Sequence, residues 1–197
     1  MQSQTFVFIG RSGCGKGTQA KMLEEKLRAL DSVRPIIHAE TGKIFREFIQ
    51  GEKYTHELAR EISSQGGLQP EFLTVHMWAH YMIEHMTRDC HIIIDGTPRK
   101  YDEAHVLDTA FSFYKREKPF VLYLDIDREI VRQRLLSRGR ADDNRDDIEA
   151  RLNWFETEVV KAVDYFRTSP HYNFIRIDAG QDPQKVFTDI LAATGLS

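Results

Sequence analysis

The sequence predicts an α/β protein in which helices cover both faces of a doubly wound, parallel sheet of about five strands. Three observations predict this fold. Short runs of almost continuous apolar residues recur along the chain, longer segments with helical spacing separate them, and a glycine-rich segment directly follows the first run. Strands of a parallel sheet are buried on both faces, so they lack the alternation of polar and apolar residues typical of surface strands. Right-handed crossovers would join successive strands.

The apolar runs define the predicted strands, which are Thr5–Ile9, Ile36–His38, His91–Ile94, Phe120–Leu124 and Phe174–Ile177. The first helix is predicted from apolar residues that fall on one face, namely Ala20, Leu23, Leu27 and Leu30. The last helix is predicted to follow Asp182 as its N-cap, with Pro183 at the first helical position. Gly195 is placed to end that helix, since glycine readily adopts the left-handed conformation of a C-cap.

The whole chain forms one predicted domain, with two interruptions of the alternating pattern. Residues 41–89 have a helical pattern without a strand and are too long for one crossover helix, so we predict an inserted helical lobe. Residues 138–144 are polar and contain glycine, so we predict a short loop there. The segments 1–40, 90–137 and 145–197 form the predicted core.

Composition limits the class of protein. The 197 residues are 41% hydrophobic and 29% charged, as in an ordinary globular domain. The formal net charge of -3 provides no general attraction to nucleic acid or to an anionic membrane. Two cysteines, Cys14 and Cys90, do not indicate a disulfide framework, and neither a signal peptide nor an apolar run of membrane-spanning length is present. We therefore expect a cytoplasmic protein with neither a nucleic-acid nor a membrane partner.

The glycine-rich segment runs from Gly10 to Thr18, between the first predicted strand and the first predicted helix. Glycines let consecutive backbone N–H groups curl around anionic oxygens, and the helix that follows points its positive end at them. Lys16 adds a point charge near the terminal phosphates. The segment therefore predicts binding of a nucleotide polyphosphate.

Lys16 is followed by Gly17 rather than by the Ser or Thr that usually binds Mg²⁺ in such a loop, and Thr18 comes one position later. This ending, in the pattern G-x-x-G-x-G-K-G-T, resembles the nucleoside monophosphate kinases of the adenylate kinase family, of the short-lid type. Further segments resemble motifs of that family in the same order, namely 38–46, 66–71, 95–99 and 134–144, followed by Arg151. The resemblance covers nearly the whole chain.

The resemblance implies a P-loop NTPase-type fold, ATP and Mg²⁺ as cofactors, and a monomer that phosphorylates a nucleoside monophosphate. The implied ATP-binding residues are Gly13, Cys14, Gly15, Lys16, Gly17, Thr18, Arg134, Arg138 and Gln181. The implied acceptor-binding residues are Thr41, Arg46, Gly67, Leu68, Gln69, Gly96, Thr97, Pro98, Arg99, Glu103, Arg140 and Arg151. The implied catalytic residues are Lys16, Arg99, Arg138, Arg140 and Arg151. Asp95 would hold a metal ion through water.

The implied arginines suit the chemistry, because two nucleotides bring several negative charges face to face. Guanidinium groups bind phosphate oxygens in bidentate fashion and stay charged at any relevant pH. Phosphoryl transfer depends on positioning and on neutralising charge. Arg46 and Arg99 would hold the acceptor phosphate, and Arg138, Arg140 and Arg151 would clamp the transferring group from the lid side.

The residues expected around the acceptor base depart from the family pattern. Glu103 stands where the family has a Gln that reads the base, Thr97 replaces a Phe, Gln69 a Val and Lys43 an Asp. Thr41 favours adenine by comparison with relatives that act on UMP or CMP. A carboxylate only accepts hydrogen bonds, so Glu103 matches the adjacent N–H and amino groups of guanine better than the edge of adenine. We predict AMP as the acceptor, with GMP or another nucleoside monophosphate as the alternative.

Other interpretations of these residues stay open. The chain could bind ATP without catalysis and regulate a partner, or the arginines could form a structural salt-bridge network. A nucleic-acid surface is disfavoured, because seven arginines between residues 127 and 151 are matched by seven acidic residues. His76, His80 and Glu84 recur at intervals of four on one predicted helix and form a weak candidate metal site.

Overall fold

The computed structural model describes residues 2–139 and 143–197. Within these residues the chain forms an all-parallel sheet with helices on both faces, so the predicted α/β fold is confirmed. The strands are β1 (Thr5–Gly10), β2 (Ile36–Glu40), β3 (His91–Asp95), β4 (Phe120–Asp125) and β5 (Asn173–Asp178). Each contains the apolar run that predicted it.

The strands lie in the order β2-β3-β1-β4-β5, with β1 at the centre. Phe8 of β1 pairs with Asp95 at the end of β3, and Gly10 pairs with Leu124 of β4. The chain leaves β1 toward one side of the sheet and later crosses β1 to form β4. The carboxyl ends of β1 and β3 therefore border the crevice in which doubly wound proteins bind ligands.

The helices follow the predicted alternation. They are α1 (Lys16–Leu30), α2 (Thr41–Phe48), α3 (Tyr54–Ser64), α4 (Glu71–His85), α5 (Tyr101–Phe113), α6 (Arg128–Arg138), α7 (Arg145–Trp154), α8 (Val160–Thr168) and α9 (Pro183–Thr194). A π-helical turn, Phe155–Val159, joins α7 to α8. The predicted caps of α9 are confirmed, because Asp182 accepts a hydrogen bond from the Gln184 N–H and Gly195 has φ +71°.

Two apolar layers form the core, one on each face of the sheet. Phe6 and Phe8 of β1 pack with α1, α6 and α9 on one face, and Val7 and Ile9 pack with α4, α5 and α8 on the other. This division follows from the alternation of side chains along a strand. No helix in the ranges 2–139 and 143–197 has the length and apolar character needed to cross a membrane.

The segment between β2 and β3 contains α2, α3 and α4 and no strand in its described residues, as the helical pattern predicted. A small separate core formed by Phe45, Ala59, Leu73 and Met77 holds these helices together. At the described ends of the predicted loop 138–144, Arg138 is the last residue of α6 and Asn144 is the N-cap of α7. Arg140 lies outside the described residues.

Candidate active site

A cleft of about 630 Å³ opens where the carboxyl ends of β1 and β3 meet. Its walls come from the loop after β1, the first turn of α1, the end of β3, α2, α6 and α7. The structure thus brings together residues that are far apart in sequence. The predicted site residues that line the cleft are Gly13, Gly15, Lys16, Gly17, Thr18, Arg46, Asp95, Gly96, Pro98, Arg99, Arg134, Arg138 and Arg151.

The loop after β1 has the backbone geometry of an anion cradle. Gly13 and Gly15 have φ of +84° and +101°, which side-chain-bearing residues rarely adopt. At Gly15 a Cβ would meet nothing within 4 Å, so the backbone faces open space. No side chain caps α1, and its first turn has no acidic residue. The first N–H groups of α1 are therefore available to bind an anion.

The Lys16 ammonium lies over this loop. Its Nζ donates hydrogen bonds to the carbonyl oxygens of Gly10 at 2.9 Å and Arg11 at 3.0 Å. The Sγ of Cys14 lies 3.7 Å from the same Nζ. Burial raises the pKa of the Cys14 thiol, so this thiol is neutral and does not compete with phosphate as a partner for Lys16.

Asp95 ends β3 beside the first turn of α1. A Cβ on Gly17 would stand 3.4 Å from Asp95 Oδ2, which shows how closely the helix approaches the carboxylate. Burial raises the pKa of Asp95, and the nearby Lys16 partly opposes this rise. Asp95 and Glu40 are the carboxylates that line the cleft within the described residues. Oxygen ligands of this kind suit Mg²⁺, which usually keeps much of its water shell.

Two arginines meet on the opposite wall. Arg99 follows β3, and its Nε donates to the Gly96 carbonyl at 2.9 Å. Arg46, on α2, donates to Glu40 at 2.8 Å. A Cβ on Gly42 would lie 3.2 Å from Arg46 Nη1 and 4.0 Å from Arg99 Nη2, so both guanidinium groups border the same point. Burial lowers the pKa of Arg99, which is the expected result for a cation that neighbouring carboxylates compensate only in part.

Two more arginines share one carboxylate on the α6–α7 side. Arg138 binds both oxygens of Asp143, at 2.8 and 2.7 Å, and Arg151 Nη2 lies 2.9 Å from Asp143 Oδ1. The Asp143 side chain is 1% exposed, so the contacts hold both cations at the cleft wall. Arg134 is anchored by the Ala179 carbonyl at 3.1 Å. Ion pairs do exist here, as in the salt-bridge interpretation, but these arginines also line the cleft.

Three predicted acceptor residues lie behind the wall rather than on it. Glu103 is 1% exposed, and its Oε2 accepts the backbone N–H of Arg99 at 2.9 Å. Burial raises the pKa of Glu103, although the Arg99 N–H and guanidinium group oppose the rise. Thr41 and Thr97 are buried, and among the described residues their hydroxyl groups have no hydrogen-bond partner.

Several other predicted residues do not line the cleft. The Gln69 side-chain amide donates to the Ala59 carbonyl and to Ser63 Oγ, so it holds α3 to the loop before α4. Gln181, which precedes α9, donates to the Asp178 carbonyl and to the Asp189 carboxylate within α9. The described lining of the cleft does not include Gly67, Leu68 or Cys14 either.

The cleft also contains residues that were not predicted as site residues. The lining includes Glu40, Gly42, Ser137, Trp154 and Val159. Glu40, Gly42 and Ser137 lie inside the motif segments 38–46 and 134–144, so those segments were an available signal. Trp154 and Val159 lie at the two ends of the π-helical turn, which no pattern in the sequence predicts.

The weak metal candidate on α4 gains no support. The His76 and His80 rings stack at 5.8 Å between centroids on an exposed face of the helix. In the part of the chain that the structure describes, no group of three or more His, Cys, Asp or Glu residues is placed to hold a metal ion. Stacked surface side chains account for this motif.

Comparisons with known proteins connect this geometry to a family. A family model described as adenylate kinase matches residues 8–171. The chain is similar to an adenylate kinase of Corynebacterium glutamicum, with 32% identity over 190 residues that cover 96% of this chain and 98% of that protein. Similar matches are adenylate kinases of Rhodococcus erythropolis, 31% identical with 96% and 98% coverage, and of Prochlorococcus marinus, 28% identical with 93% and 94% coverage.

Proposed function

Because this chain belongs to the adenylate kinase family, we propose that it transfers the terminal phosphoryl group of MgATP to AMP and forms two molecules of ADP. The observation that carries this proposal is a single cleft with an anion cradle on one wall and five described arginines on the others. Such a cleft accepts two polyanionic substrates end to end. The protein is a phosphotransferase of the nucleoside monophosphate kinase class.

The ATP phosphates bind at the loop after β1. The first N–H groups of α1 and the Lys16 ammonium donate to the β- and γ-phosphate oxygens, and Arg134 and Arg138 approach from α6. Bound Mg²⁺ would neutralise charge on the phosphates, with Asp95 as the carboxylate that holds its water ligands. The cleft lining at Gly15 and Asp95 fits both groups.

The acceptor phosphate binds where Arg46 and Arg99 meet. One of its oxygens attacks the γ-phosphorus in line, the bond from that phosphorus to the β–γ bridging oxygen breaks, and the bond's electron pair leaves with ADP. The acceptor is already an anionic nucleophile at neutral pH, so no side chain has to remove a proton. Arg138 and Arg151 stabilise the charge on the transferring group from the side opposite β3.

Water must be excluded from this reaction, because hydrolysis of ATP competes with transfer. Residues 41–89 form an acceptor lobe, which closes over the bound substrates. The enzyme acts as a monomer in the cytoplasm, where both nucleotides are available.

A coupled assay tests this function by supplying MgATP with AMP, GMP, CMP, UMP or dTMP in turn. We expect ADP formation with AMP at the highest kcat/KM. A higher kcat/KM with GMP would contradict AMP as the acceptor and favour the alternative acceptor, GMP. Tight ATP binding without diphosphate formation from any acceptor would contradict the proposed activity and favour a regulatory protein.

A further inference from the structure

Trp154 connects the α7 side of the cleft to the acceptor lobe. Its indole Nε1–H donates a hydrogen bond to the Gly66 carbonyl at 3.0 Å, in the loop between α3 and α4. Gly66 has φ +64°, and a Cβ there would stand 2.8 Å from Asp147 Cα. The loop therefore lies directly against α7, and the indole N–H satisfies a carbonyl at this contact.

The same indole lies beside the acceptor-phosphate arginine. The Arg99 guanidinium carbon is 5.9 Å from the centroid of the Trp154 ring, at the outer limit of a cation–π contact. The Gly96 carbonyl accepts a hydrogen bond from Arg99 Nε. Two contacts thus restrict the guanidinium group, and one of them depends on an aromatic ring at position 154.

The next two residues contact the phosphate loop. The Arg11 guanidinium carbon lies 4.6 Å from the centroid of the Phe155 ring, and Arg11 Nη2 lies 3.5 Å from a carboxylate oxygen of Glu156. The π-helical turn begins at Phe155, and turns of this kind often occur at functional sites. Residues 154–156 therefore contact the acceptor lobe, the acceptor arginine and the phosphate loop.

We propose that Trp154 is a positioning residue for the acceptor monophosphate. Its ring orients the Arg99 guanidinium group toward the phosphate, and its N–H holds the acceptor lobe against α7 when the cleft closes. This inference rests on the proposed function, because it assigns the monophosphate to the Arg99 side of the cleft. It predicts that changes at Trp154 affect binding of AMP and leave binding of ATP intact.

Two substitutions separate the contacts. Trp154→Phe keeps an aromatic ring and removes the N–H, so we expect the KM for AMP to rise about threefold, as for one lost hydrogen bond. Trp154→Leu removes both contacts, so we expect a rise of about tenfold or more. The KM for ATP should stay within about twofold in both variants, since neither contact reaches the phosphate loop directly.

Phe166→Leu is the matched control, because Phe166 is an aromatic residue of α8 that is buried in the core and does not line the cleft. We expect it to lower Tm and to leave the KM for AMP unchanged. Intrinsic fluorescence provides a second readout. The difference between the unmodified protein and Trp154→Phe isolates the Trp154 signal, and AMP should change that signal whereas ATP alone should not.

Equal increases of both KM values, an unchanged KM for AMP in Trp154→Leu, or a Trp154 signal insensitive to AMP would each overturn the proposal. If Trp154→Leu does not fold by circular dichroism, Trp154→Phe and the fluorescence titration decide the question. Failure of the proposed function is distinguishable, because the unmodified protein would then form no ADP from AMP. If the unmodified protein is active and both Trp154 variants keep its KM for AMP, only the proposal about Trp154 is wrong.

Discussion

The substitution Arg99→Ala tests whether Arg99 acts in phosphoryl transfer or mainly stabilises the fold. The Arg99 side chain donates one hydrogen bond to a backbone carbonyl, that of Gly96, and its pKa is lowered because burial of the cation outweighs attraction to Glu103 and Asp95. Removing a buried cation whose charge is only partly compensated stabilises the folded protein, because the cost of burying that charge is lost. Loss of the hydrogen bond destabilises the folded protein by about 1 kcal/mol. We therefore expect the free energy of unfolding to change by less than about 1 kcal/mol.

The expected loss of activity is much larger. Two charge-assisted hydrogen bonds to a phosphate contribute about 1.5–3 kcal/mol each, so losing them should lower kcat/KM for AMP by about 10²–10³-fold or more. The coupled ADP assay measures this ratio, and urea unfolding measures stability on the same preparation. Arg167→Ala is the control, because Arg167 forms an exposed pair with Asp164 at the end of α8.

The reasoning would be refuted by either of two results. In the first, Arg99→Ala keeps kcat/KM for AMP within tenfold of the unmodified enzyme. In the second, the variant loses more than about 2 kcal/mol of stability, as expected for a residue that mainly holds the fold together. Arg167→Ala should change neither kcat/KM for AMP nor the free energy of unfolding. A change in either would mean that the effects of Arg99→Ala are not specific to Arg99.

Three further perturbations probe the loop, the lid and the sheet. Gly10→Ala should destabilise the fold by about 2 kcal/mol or more in urea unfolding, since a Cβ at this position would lie 2.6 Å from the Leu124 carbonyl oxygen. Asp143→Ala should lower kcat by about tenfold or more in the ADP assay, because Asp143 binds two guanidinium groups of the cleft wall. A hydrogen bond to a charged group contributes about 1.5–3 kcal/mol, so its loss should leave these groups less well oriented. His91 is buried, and burial lowers its pKa, so the unfolded chain binds a proton near pH 6.5 before the native protein does. Stability should therefore fall as the pH drops from 7.5 to 5, and urea unfolding should show a smaller fall in His91→Asn.

Local rules were sufficient to predict the strands, the caps of α9 and the cradle at the start of α1. Apolar runs, an Asp-Pro pair before a helix and a glycine-rich turn after a strand are each determined within a few residues. The position of β1 between β3 and β4 is different, since it depends on contacts between distant segments. The motif at residues 95–99 indicated an arginine in the cleft, but only the sheet order places it opposite Lys16.

Side-chain partners were the part that sequence patterns could not predict. Gln69 was placed at the acceptor base, and in the structure its amide donates to the Ala59 carbonyl and Ser63 Oγ inside the lobe. Trp154 carries no motif, and it lies in the cleft because α7, which ends at Trp154, packs against the loop before α4. The Trp154 contact depends on the approach of α7 to the loop before α4, which no local sequence pattern predicts.

The buried ionisable groups on and behind the cleft wall indicate what the substrates contribute. Burial shifts the pKa of Asp95 and Glu103 upward and that of Arg99 downward, so each shift favours the neutral form. The folded protein therefore holds these charges at a cost, which its other interactions offset. A phosphate beside Arg99 and a hydrated cation beside Asp95 would supply the opposite charges that the protein lacks. Because the guanidinium groups are already oriented, the charge of the transferring group meets fixed partners rather than partners that must reorganise.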